Sequence, residues 1–168
     1  MMSLNTGYQN KQVDVNDAMY RLALYIKNIP EYFNTISPAE LLRKTNSTKW
    51  SKKEILGHLI DSAINNLKRF TDIQFSPQPC SIISYNQVEL VTVNNYQELE
   101  MAHLINLWKS LNQQILFVVA NISQEKLLNT VNIEYDDPEV KTLGWVICDY
   151  VAHMEHHYKQ INENIVFI

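Results

Sequence analysis

The sequence predicts an all-α protein, a four-helix bundle with long crossover connections. Four segments repeat apolar residues at three- and four-residue steps, the period of a helix with one face in a core. Only three glycines and five prolines occur in 168 residues, too few for a chain of many tight β-turns. The length suits one domain, residues 1–168, that buries its own core without disulfides or a structural metal.

The first helical segment runs roughly from Val15 to Ile36, with Met19, Leu22, Ile26, Ile29 and Phe33 in register. Pro30 lacks an amide hydrogen and is expected to kink or split it. In SPAELLRK, Ser37 reads as an N-cap and Pro38 as the first residue of a short helix. The second long helix starts at WSKKE, where Ser51 and Glu54 stand at capping-box spacing, and extends to about Ile73. FSPQPCSIISYNQVELVTVNN has two prolines and no helical period, so it reads as a long connection.

The third long helix is expected from about Tyr96 to Ile122, with Leu104, Trp108, Leu111, Ile115, Val118 and Ile122 on one stripe. SQEKLL then suggests a single helical turn, and VNIEY an irregular or hairpin-like stretch. Thr142 caps the fourth helix, which runs to about Asn162. Four amphipathic helices in a small domain make a bundle.

The net charge of −4 and the lack of a Lys/Arg stripe leave no electrostatic footprint for nucleic acid. Cys80 and Cys148 form no disulfide framework, which favours a reducing compartment. MMSLNTGYQN lacks the apolar core of a signal peptide, and ILFVVANI is too short to span a bilayer. A soluble cytoplasmic protein with a small-molecule substrate is the expectation, with no membrane and no nucleic acid as partner.

DYVAHMEHHYKQI places three of the five histidines within five residues of the fourth helix. His153 and His157 are four apart and share the inward face with Val146, Tyr150 and Ile161. His156 lies about 60° to one side and Glu155 points nearly opposite. Two buried imidazoles are ordinarily each hydrogen-bonded to a neighbour. Stacked in one apolar cavity they repel if protonated and compete for partners if neutral, and a divalent cation resolves this by taking both lone pairs. His58, two turns into the second helix, lies on or near a face with Ile55, Leu59, Ser62, Asn65, Asn66 and Arg69, where small and polar groups suit a site wall. If the second and fourth helices are neighbours, three imidazoles meet and leave coordination positions open, as catalytic metal sites do.

The Trp-Ser start, GHLID with Arg69 eight residues after Asp61, the Trp-bearing LWKSLNQQI stretch, and H-x-x-H-H-x-x-Q-I resemble the DinB/YfiT-like superfamily. The resemblance covers about Val15 to Ile161. It implies an up-down-down-up bundle and a divalent transition metal, zinc or nickel, held by His58, His153 and His157. It also implies either hydrolysis or the use of a low-molecular-weight thiol such as bacillithiol, as in bacillithiol S-transferases and mycothiol-dependent maleylpyruvate isomerase. A homodimer packed through helices is compatible with it.

Three further residues are candidates for the chemistry. Asp61, offset about 60° from His58, either orients a ligand or lies on the surface. Arg69 either holds a substrate carboxylate or bridges to another helix. Tyr150, like Gln160, either reaches the metal's water or, for Tyr150 in particular, packs in the core. No general base is evident, since Glu155 faces away. A non-catalytic metal-binding bundle, acting as sensor or scaffold, is therefore the alternative to an enzyme. His103 reads as solvated, Cys148 as a small core residue, Cys80 as unplaced, and Trp50, Trp108 and Trp145 as core anchors.

Overall fold

The computed structural model describes residues 13–133 and 139–162. The amino-terminal segment read for a signal peptide, and part of the connection after Ile133, lie outside these residues. The long helices are α1 (Val15–Phe33), α3 (Lys52–Asp72), α5 (Met101–Ala120) and α7 (Leu143–Ile161). Between them lie α2 (Pro38–Leu42), α4 (Gln87–Asn94), a 3₁₀ turn (Tyr96–Glu98), α6 (Gln124–Leu127) and the strands β1 (Cys80–Ile82), β2 (Thr130–Ile133) and β3 (Glu139–Thr142). No described helix is long and apolar enough to cross a membrane.

Side-chain pairings give the direction of each long helix. Val15 lies against Gly144, and at the other end the Tyr32 hydroxyl donates to the Ile161 carbonyl at 3.0 Å, so α1 and α7 are parallel. Lys52 at the start of α3 donates to Ile161 at the end of α7, while Phe70 meets Tyr150 edge-on at 5.8 Å, so α3 runs against α7. Lys53 bonds the Gln97 carbonyl just before α5, and Asn129 just beyond α5 bonds the Ile73 carbonyl, so α3 and α5 are parallel. The order is up, down, down, up. α1 and α3 each pack on both α5 and α7. Two parallel neighbours consecutive along the bundle require a return crossing, which residues 73–100 provide.

The caps follow the sequence. Glu54 N–H donates to Ser51 Oγ at 3.2 Å and Ser51 N–H to Glu54 Oε2 at 2.8 Å, closing the capping box of α3. Ser37 caps α2 and Thr142 caps α7. Three expectations are corrected. First, α1 is not split at Pro30 but continues to Phe33. The proline stands within a turn of the helix end, and Ile29 before it and Phe33 beyond it are fully buried, so core packing outweighs one lost hydrogen bond. Second, α5 begins at Met101, because Leu99 and Glu100 are extended after the 3₁₀ turn. Third, the connection after α3 is structured. It carries β1 and α4, ending at Asn95 in the left-handed region (φ 49°), which asparagine tolerates.

β1 pairs in parallel with β2, and β2 pairs antiparallel with β3, so the hairpin-like reading of VNIEY holds for its described part. Ile82, Val131 and Ile133 turn into the core from this small sheet.

A buried polar contact joins α1 to α7. Glu155, 7% exposed, forms an ion pair with Arg21 and accepts from the Tyr25 hydroxyl at 2.9 Å. Removing one partner of a fully buried pair costs about 3–5 kcal/mol. Arg21 keeps Asp17 as a partner at 2.8 Å, so the loss here is smaller. Glu155→Ala is expected to destabilise the fold by about 2–3 kcal/mol, read as a lower urea midpoint with an unchanged slope.

Candidate metal centre

α3 is buried on nearly every side through its first three turns, from Glu54 to Ala63, because α5, α7 and the crossing segment all pack on it. This makes His58 fully buried. The antiparallel pairing with α7 sets His58, early in α3, beside His153 and His157, late in α7. His58 Nε2 and His153 Nε2 are 3.1 Å apart, and so are His157 Nε2 and His153 Nε2. The rings meet edge to face, with centroids 4.6–5.0 Å apart. Trp50 lies over His58 at 5.0 Å and closes one side.

This spacing fits a divalent cation. Metal–nitrogen bonds of about 2.0–2.1 Å put two ligand atoms about 2.9 Å apart at a right angle and about 3.3 Å apart at the tetrahedral angle. The 3.1 Å separations fall between these. Among the described residues no Cys, Asp or Glu joins the three histidines as a fourth donor.

The imidazoles are poised neutral. Burial, then the charge of His157, pushes His58 down to about 3. Burial pushes His157 down to about 4, against a hydrogen bond to Gln160 Oε1 that raises it. His153 is held well below its usual range by burial and by the other histidines. In the unfolded chain these groups titrate near 6.5, so between about pH 6.5 and pH 4 the unfolded state binds more protons. Stability of the metal-free protein therefore falls as pH drops through that window, by at most about 1.4 kcal/mol per pH unit per histidine. Urea midpoints between pH 4.5 and 6.5 are expected to rise with pH. The rise should be shallower in His58→Gln.

The other candidates sit elsewhere. Asp61, 3% exposed, is not a surface residue. Its Oδ1 accepts from the Tyr96 hydroxyl at 2.6 Å and from Asn94 at 2.8 Å, so it ties the crossing segment to α3, and it makes no hydrogen bond to His58. Burial pushes its carboxyl up, against both hydrogen bonds. Arg69 makes no ion pair among the described residues. It donates to the Ile83 carbonyl at 2.9 Å and lies over Tyr85 at 5.5 Å, walling a cleft of about 210 Å³ with Asn65, Lys68 and Cys80. Eleven residues of helix, about 16 Å, separate it from His58. Tyr150 is core: its hydroxyl donates to Asn112 Oδ1 at 2.5 Å. His103 is exposed, as expected, and His156 and Cys148 are half-buried.

Two features were missed in the sequence. Gln160 bonds His157 Nδ1 at 3.0 Å rather than facing the centre. Tyr96 lies across Gly57, where a Cβ would come within 2.1 Å of its ring. The available signal was a glycine inside a strongly apolar helix, which costs about 1 kcal/mol and marks a close approach.

The profile of the DinB superfamily matches residues 22–161, most of the chain. This chain belongs to the DinB superfamily. A curated Halalkalibacterium halodurans protein, named as a candidate metal-dependent hydrolase, is 21% identical over 132 residues, covering 79% of this chain and 75% of its own length. Among solved structures, YfiT from Bacillus subtilis is described as a metal-dependent hydrolase candidate with an unusual four-helix bundle topology. It superposes with a TM-score of 0.80 at 17% identity, over 92% of this chain and 87% of YfiT. Mycothiol-dependent maleylpyruvate isomerase superposes with a TM-score of 0.61 at 12% identity, and this DinB chain covers 60% of it. These likenesses establish the bundle.

Proposed function

We propose that this DinB protein is a metal-dependent enzyme acting on a small-molecule substrate, with His58, His153 and His157 holding one divalent transition metal. The observation that carries this reading is the convergence of three imidazoles, with His153 Nε2 3.1 Å from the Nε2 of both His58 and His157, without a fourth protein donor among the described residues. Three ligands suit a catalytic site, whereas structural zinc sites are closed by four. Zinc or nickel suits imidazole donors. The names of the related proteins support metal dependence.

Such a cation, when bound with open positions, lowers the pKa of a thiol or water that reaches it. The chain's own contribution is to present three imidazoles in their neutral form at pH 7, and to shield His58 from water with Trp50. The two buried carboxylates nearby bond elsewhere: Asp61 Oδ1 to Tyr96 and Asn94, Glu155 to Arg21 and Tyr25. Neither makes a hydrogen bond to a ring of the trio. A thiol co-substrate such as bacillithiol ionises without a protein base, which favours thiol transfer over hydrolysis, and one structural neighbour is mycothiol-dependent. The same want of a base favours, as a second reading, a metal-binding bundle without catalysis, a sensor or scaffold.

The test loads tag-free protein with zinc, nickel or manganese and assays electrophilic substrates with bacillithiol, glutathione or no thiol. Metal-dependent turnover that needs a thiol and disappears in His157→Ala is the expected result. Turnover without thiol selects hydrolysis. Tight metal binding with no turnover under any condition selects the sensor or scaffold.

A further inference from the structure

Gln160 joins two histidines of α7 through one amide. Its Oε1 lies 3.0 Å from His157 Nδ1, and its Nε2 lies 3.0 Å from His156 Nε2. The amide oxygen only accepts, so the contact to His157 requires a proton on Nδ1. A neutral imidazole protonated there carries its lone pair on Nε2, the atom that faces the other two histidines. With the His156 proton on Nδ1 the second contact is satisfied in the same sense, because the NH₂ then donates to His156 Nε2; a flipped amide would instead need Nε2–H on His156 and a bare Nδ1 on His157.

The other two histidines have no such partner. His58 Nδ1 and His153 Nδ1 are buried without a protein hydrogen bond among the described residues. Asp61, one turn from His58, bonds Tyr96 and Asn94 through Oδ1 and makes no hydrogen bond to either Nδ1. Among the described residues, only His157 of the three imidazoles has a side-chain partner at Nδ1.

We infer that Gln160 is a positioning residue of the metal centre: its amide oxygen fixes His157 as the Nδ1–H tautomer and so readies Nε2 to bind a cation. The inference rests on the metal-centre reading above, and its test has an arm that does not need metal. Partners of this kind typically contribute about 10–100-fold to metal affinity. Gln160→Met keeps the length of the side chain and removes the acceptor. Gln160→Glu keeps an acceptor and removes the donor to His156.

In metal-free protein at pH 7.5, ¹⁵N-resolved imidazole spectra are expected to show His157 protonated on Nδ1 in the natural protein and in Gln160→Glu. In Gln160→Met that signature is lost. Zinc affinity by competition with a chromophoric chelator should fall about 10–100-fold in Gln160→Met and stay at or above the natural value in Gln160→Glu. A natural protein with Nε2–H at His157, or equal affinity in Gln160→Met, overturns the positioning role. So does an equal loss in both variants, which would mean that Gln160 matters only to packing or to His156. Failure of the natural protein to bind zinc at all, with the tautomer as expected, overturns the metal-centre reading instead.

Discussion

Alanine at His58, His153 or His157 is expected to lower zinc affinity by more than about 100-fold, the upper end of what a mere outer partner contributes. Each imidazole supplies one of only three converging donors, and no described Cys, Asp or Glu is near enough to replace it. The His58→Ala effect should be among the largest, because His58 is fully buried and comes from a different helix than the other two. Losing it leaves an i, i+4 pair on one helix, a two-ligand site. His103→Ala, on the exposed face of α5, should leave affinity unchanged. Titration with zinc against a chelator of known affinity reads both. Equal affinities in His103→Ala and the three centre variants would remove the trio from consideration.

The second large effect concerns Gly57. A Cβ there would stand 2.1 Å from Tyr96 Cδ2 and 2.3 Å from Cγ, distances no packed carbon atoms adopt. The ring is 4% exposed and its hydroxyl donates to Asp61, so it cannot swing away without giving up a buried hydrogen bond to a carboxylate. Overpacking costs about 1–3 kcal/mol and a lost buried hydrogen bond about 1–3 more. The better helix propensity of alanine returns about 1 kcal/mol. Gly57→Ala should therefore lose about 1–5 kcal/mol, visible as a lower urea midpoint. The cause is tested by a double-mutant cycle: once Tyr96→Ala is made, Gly57→Ala should cost little or nothing further. Additive losses would place the strain elsewhere.

Much of this fold was written in local signals. The capping box at Ser51 and Glu54, the Ser37–Pro38 start and the Thr142 cap mark helix starts where α3, α2 and α7 begin, because caps satisfy amides within a single turn of the chain. The histidine trio was legible for a related reason. An i, i+4 pair fixes its own geometry, and only the contact between α3 and α7 had to be supplied. Features that depend on long-range contacts were hidden. α1 passes through Pro30 because its end is packed between neighbours, which no local rule anticipates. β1 is three residues long and pairs with a strand fifty positions away, so it has no periodicity to read. Asp61 and Arg69 were placed correctly on their helix, yet their partners come from the crossing segment, at Asn94 and Tyr96 for one and at Ile83 and Tyr85 for the other.

In the proposed metal centre one cation sits among three imidazole nitrogens, with no fourth ligand among the described residues. Anomalous diffraction at the zinc edge from crystals of zinc-loaded, tag-free protein tests it most directly. The account predicts one strong peak per chain, about 2.0–2.1 Å from the Nε2 atoms of His58, His153 and His157, with its remaining neighbours solvent or co-substrate. A peak at Cys80 or Cys148, a site closed by a fourth side chain, or no peak at the trio would contradict it.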